Sequence, residues 1–154
     1  MNEVDKIYDA DSAAARDYLS ALQNVITRLA NNSSQCKTWC ITITSVIIVL
    51  VARTTAPNHA WIAIIPIITF CFLDAYYLSL EREFINAYGA AAKKLRNNEL
   101  QLDDLYIFPT PRTQDAKQKA GRIFDAFLST SVAPFYVLLL LMLAFVRVAV
   151  LTVT

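Results

Sequence analysis

Three long apolar runs punctuate an otherwise polar chain. Thr38–Ala52 (TWCITITSVIIVLVA) carries the hydroxyls Thr42, Thr44 and Ser45. Ala60–Leu80 is interrupted by Pro66 and by the acid Asp74, and Val132–Thr154 contains the strongly apolar stretch Phe135–Val146. A helix that spans a bilayer needs about 20 mostly apolar residues. The second and third runs reach that length. The first reaches it once Cys36, Lys37 and Arg53 lie in the interfaces. Trp39, Trp61, Phe135 and Tyr136, near the ends of the runs, fit the aromatic belts of a membrane protein.

Between the runs the period changes. Tyr18, Leu19, Leu22, Val25, Ile26 and Leu29 recur at spacings of three and four, which predicts an amphipathic helix. Asp11 or Ser12 can cap its start, and Asn31-Asn32-Ser33-Ser34 is a natural end ahead of the first span. The second run continues without proline into SLEREFINAYGAAAKKLRNN, so a rod from Ala60 to about Asn97 is predicted, roughly 55 Å long. Tyr106–Arg112 (YIFPTPR) must leave the helix at Pro109 and Pro111. Thr113–Thr130 predicts a second amphipathic helix with Ala120, Ile123, Phe124 and Phe127 on one side. The expected fold is an all-α membrane protein with three transmembrane helices. Its parts are a cytoplasmic amphipathic helix (1–35), a transmembrane hairpin (36–80), a cytoplasmic helical segment that extends the second span (81–131), and a third transmembrane helix (132–154).

Composition sharpens this picture. Of 154 residues, 56% are hydrophobic and 18% charged, and only two are glycine. Disorder and a glycine-rich phosphate loop are both excluded. One histidine and three cysteines leave no set of metal ligands in view, and no nucleophile, base and orienting group stand together. Neither an enzyme nor a cofactor is expected, and a net charge of +1 gives no reason to expect direct nucleic-acid binding.

Basic residues suggest an orientation. Lys6, Arg16, Arg28 and Lys37 precede the first span, and eight lysines and arginines lie in 81–131, whereas Arg53 alone lies in the connection up to His59. The side richer in Lys and Arg is cytoplasmic. The N-terminus and the middle segment are therefore expected inside a bacterial inner membrane and the C-terminus in the periplasm. No cleavable leader is expected, because 37 largely polar residues precede the first span.

The run Leu73-Asp74-Ala75-Tyr76-Tyr77-Leu78 with Glu81-Arg82 resembles a group of small bacterial multi-pass membrane proteins. Arg28-Leu29-Ala30, Lys37-x-Trp39, Ile65-Pro66 and Ala133-Pro134-Phe135-Tyr136 follow the same group in order. The group is akin to membrane accessories of antiphage defence systems, including CRISPR accessory pore proteins and SLATT-type effectors. The resemblance implies an oligomer that opens a pore or perturbs the membrane when a cytoplasmic nucleic-acid-sensing defence protein detects infection. It brings no catalytic residues. A passive anchor that recruits a cytoplasmic partner through 81–131, and a phage-type lysis pore, are the alternatives.

Asp74 is the most informative position. It lies about 9 Å inside the cytoplasmic end of its span, where an acid is costly unless paired or wetted. Lys37, at the edge of the first span, is the expected partner, with Tyr77 one turn further along the same face as Asp74. Three readings stand: a fixed ion pair tying two spans together, a wetted path, or an acid that reaches the interface. Thr42 and Ser45 join this candidate polar site, as hydroxyls that bond a neighbouring helix or line water. Arg53 and Arg147, near the outer interface, form either a charged ring in an oligomer or separate interfacial anchors. Cys36, Cys40 and Cys71 are expected to pack as small apolar residues, because His59 cannot complete a metal site with them. Glu81, Arg82 and Glu83 read as a solvated stretch of helix. The lipid bilayer and further copies of the chain are the other expected partners.

Overall fold

The computed structural model describes residues 12–54, 61–105, 107–109 and 116–153. Four α-helices carry them: α1 (Ala13–Thr54), α2 (Ile64–Arg96), α3 (Ala116–Phe127) and α4 (Ala133–Val153). There is no strand among the described residues.

Ser12 caps α1, its Oγ accepting a hydrogen bond from the backbone N–H of Ala15 at 3.1 Å. Asp11 lies outside the described residues. The helix then continues for 42 residues and passes straight through Asn31–Ser34. This corrects the expected break. Asparagine and serine cost only tenths of a kcal/mol in a helix interior, so packing decides. The apolar stripe of the N-terminal half, with Tyr18, Leu22 and Leu29 buried, runs on as Ser33, Cys36, Cys40 and Thr44 along the same face.

The rod of the second run forms as α2, preceded by a 3₁₀ turn at Trp61–Ala63. Pro66 falls in the first turn, where its missing N–H costs nothing. A left-handed Asn98 (φ 55°) closes the other end. Glu99 N–H bonds Lys94 O at 2.8 Å and Asn98 N–H bonds Leu95 O at 3.1 Å, the paired bonds of a Schellman motif.

Helices α1 and α2 form an antiparallel hairpin with two cores. At one end Tyr18 and Leu22 meet Ala91, Leu100 and Leu105. At the other, Cys40 and Val51 meet Ala63 and Ile67, together with Val132, Tyr136, Leu139 and Leu143 around α4. The second core sits inside a belt of exposed apolar side chains that includes Trp39, Val49, Leu50, Ile65, Ile68, Leu138 and Phe145. The helices of the hairpin are both long and apolar enough to cross a membrane, and their most apolar stretches are only 22% and 28% buried. A core helix of a soluble domain would hide most of that surface. In α4 the apolar stretch Ala133–Ala149 is shorter.

Helix α3 lies against α2, held by an ion pair between Arg122 and Glu83 and by the rings of Phe72 and Phe127, 6.3 Å apart. Its orientation differs from the expected one. Ala126 is the buried residue and Phe124 is 62% exposed, so the face that packs is turned away from Phe124 and Ala120. Ile107–Pro109 is non-helical, as the prolines predict, while Tyr106 and 110–115 lie outside the described residues.

A buried carboxylate between two helices

The candidate site occupies the gap between the two cores. Asp74, on α2, is fully buried. Its Oδ2 lies 2.7 Å from Lys37 Nζ on α1, and its Oδ1 accepts a hydrogen bond from the Ser33 hydroxyl. Lys37 Nζ also donates to Ser33 Oγ at 3.3 Å. Three groups thus close on one another, two of them from successive turns of the same helix.

The arrangement follows from the pitch of α1. Ser33 and Lys37 are four residues apart, so both side chains stand on one face. The lysine side chain keeps 21% of its surface exposed, which lets its stem run along apolar surface while its ammonium reaches the carboxylate. A buried charge needs a counter-charge and hydrogen bonds, and here Lys37 supplies the counter-charge at Oδ2 and Ser33 the hydrogen bond at Oδ1. Chemically the site is a closed tie. It presents no unpaired base.

Tyr77, one turn further along α2, is half-buried, and its ring lies tilted by 60° against that of Tyr76 with centroids 5.9 Å apart. Thr42 and Ser45 are exposed, and Thr42 donates to the backbone carbonyl of Thr38 at 2.9 Å. They stand on the outward face of α1, away from Asp74. The hydroxyl that faces inward is Thr44, buried beside the apolar core. A step of one or two residues turns a helical side chain by about 100° or 200°, enough to move it from one face to another. Ser33 was hidden from sequence reasoning inside a run that reads as a helix end. Its spacing of four from Lys37 was the available signal.

Glu83 is not solvated as its neighbours suggested. It is paired with Arg122 and its side chain is 11% exposed. Arg53 and Arg147 do not share a site in one protomer. Arg53 borders a shallow hollow on α1 with Val46 and Val49, while Arg147 lies over the Trp61 ring, 4.7 Å from its centroid. Cys36 and Cys40 are buried, and all three cysteines are free thiols.

At the polar end of the hairpin the chain after α2 folds back over α1. The Tyr18 hydroxyl donates to Ile107 O at 2.9 Å, and its ring meets Phe108 edge-on at 6.0 Å. Lys94 Nζ lies 2.6 Å from Asp104 Oδ1, and this bond holds the Asp104 carboxyl below the usual carboxylate range. Burial pushes the Tyr18 hydroxyl above the usual tyrosine range, and the nearby Asp104 charge adds to it.

No family model, curated protein or solved structure matches this chain.

Proposed function

We propose that the chain is a three-span inner-membrane effector or accessory of a bacterial antiphage system. Its N-terminus and middle segment face the cytoplasm and its C-terminus the periplasm. It acts as an oligomer that opens a pore or disturbs the membrane when a cytoplasmic partner senses infection. The observation that carries the physical part is the continuity of α1 and α2, which run unbroken from the polar core to the apolar belt. Two such helices, tied at Asp74, couple whatever binds the polar end to whatever surrounds the apolar end. The defence assignment comes from the LDAYYL–ER resemblance.

The test is infection of cells that carry the chain with its native neighbouring genes, followed with a membrane-potential dye. Depolarisation and a lower phage yield, both lost in the Lys37→Gln variant, are the expected result. Protection without depolarisation would favour the passive anchor, in which the spans are exchangeable for an unrelated hairpin. Depolarisation late in the cycle without protection would point to a lysis pore.

A further inference from the structure

One cation at the apolar end remains unexplained by the tie. Arg147 sits near the end of α4 and stacks on Trp61 at the start of α2, at 4.7 Å. The two residues close one end of a groove of about 400 Å³ whose walls include Ile64, Leu140, Leu143 and Ala144. The groove is apolar along its length and cationic at its end.

The groove end has no carboxylate paired with it among the described residues. The ion pairs among the described residues are Lys37–Asp74, Lys94–Asp104 and Arg122–Glu83, none of which involves Arg147. The Arg147 Nε is enclosed against the protein, so it is the rest of the guanidinium, over the Trp61 ring, that borders the groove. A guanidinium binds phosphate oxygens through paired N–H donors.

Position along the rod narrows the ligand. Trp61 stands 13 residues from Asp74, about 20 Å along the axis, which places the Arg147–Trp61 pair at the interface opposite Lys37. A molecule with an anionic head at that depth and an apolar tail beside α4 is a phospholipid of the leaflet. We propose that this groove binds an anionic phospholipid, with its phosphate on Arg147 and an acyl chain along Leu140, Leu143 and Ala144. The proposal rests on the membrane reading of the fold.

Quenching of Trp61 by brominated lipids tests it. The full chain with Trp39→Phe, reconstituted in vesicles, leaves Trp61 as the single tryptophan, excited selectively beyond the absorption of the seven tyrosines. Brominated phosphatidylglycerol should quench Trp61 at about tenfold lower mole fraction than brominated phosphatidylcholine. Arg147→Gln should remove that preference, Arg147→Lys should keep part of it, and Ala144→Phe should weaken quenching by both lipids by filling the groove. Equal quenching by the two lipids in the parent protein would overturn the site while leaving membrane insertion intact. A preference that survives Arg147→Gln would overturn it too. Protection of Trp61 from both lipids, with chemical cross-links between copies at Ala144→Cys, would assign the groove to a second copy instead. Failure of either lipid to reach Trp61 without such cross-links would overturn the membrane reading itself.

Discussion

Lys37 and Asp74 hold opposite ends of one bond but stand in different solvents. The lysine side chain keeps about a fifth of its surface open (21%), the aspartate none, across a separation of 2.7 Å. Removing either partner therefore has unequal consequences. Lys37→Gln leaves a carboxylate buried beside one hydroxyl, at a cost of about 3–5 kcal/mol. Asp74→Asn leaves an ammonium that can withdraw to the interface, and should cost about 1–3 kcal/mol. The double variant should recover much of the Lys37→Gln loss, because no lone charge stays buried. Thermal melting in detergent checks the order, and equal losses for the two single variants would contradict it.

Ser33 should matter more than its place in an Asn-Asn-Ser-Ser run suggests. Its hydroxyl donates to the Asp74 carboxylate, and a hydrogen bond to a charged group is worth about 1.5–3 kcal/mol. Ser33→Ala should lose that amount, whereas Ser34→Ala, on the exposed side, should change stability by less than about 0.5 kcal/mol. Matching melts for the two variants would remove Ser33 from the tie.

The polar core makes a similar comparison possible. Leu22 is fully buried and Ile26 only half-buried on the same stripe. Leu22→Ala should cost about 2–5 kcal/mol, and Ile26→Ala distinctly less. Proteolysis of the detergent-solubilised protein near residues 100–109 is a convenient readout, because Leu100 and Leu105 pack in the same core. A reversed order would mean that the stripe meets α2 in a different phase.

The fold-back segment has both an acid and an alkaline limit. Asp104 is held below its ordinary value of 3.8 by its bond to Lys94, so its contribution is present above pH 3.8 and fades as pH falls through the lower folded value. Exposure keeps that contribution under about 1 kcal/mol. Tyr18 is raised above its ordinary 10.0 by burial, so its contribution holds below pH 10.0 and is lost as pH rises towards the higher folded value. The exchange protection of Leu105, Ile107 and Phe108, corrected for the intrinsic pH dependence of amide exchange, should fall at both extremes. Asp104→Asn should remove the acid limb and Tyr18→Phe the alkaline one. Limbs unchanged in these variants would assign the titration elsewhere.

Topology is the remaining expectation. A reporter after Thr154 should read periplasmic and one inserted at Thr110 cytoplasmic. Both on one side would mean that α4 does not span.

The helices were legible because long apolar runs and strong helix formers leave few alternatives for α2 and α4. The Asp74–Lys37 pair was legible for a related reason: an acid inside an apolar run must find a cation, and Lys37 stood just ahead of the apolar run on the preceding helix. What escaped was whatever depends on rotation about a helix axis. Thr42 and Ser45 point outward while Thr44 points in, and the break expected at Asn31–Ser34 cut the spacing of three and four that carries the buried face from Leu29 through Cys36 and Cys40 to Thr44. The break expected at Asn31–Ser34 failed because local preference there is worth tenths of a kcal/mol, against a hydrogen bond to a buried charge worth several times more. Arg122 with Glu83, and Arg147 with Trp61, join residues 39 and 86 positions apart (122 − 83 and 147 − 61), which only the packed helices bring together.

The placement of one polar layer between two apolar cores also limits how the hairpin can move. A piston stroke of α1 past α2 by a single turn would carry Ser33 and Lys37 about 5.4 Å from Asp74 and strand the carboxylate in a dry interface. Rocking about Asp74 leaves those bonds almost unstretched while the far ends swing in opposite senses. The carboxylate is thus a fulcrum, and a push on the Tyr18 end of α1 would return as a lateral displacement at its Val51 end rather than as a slide.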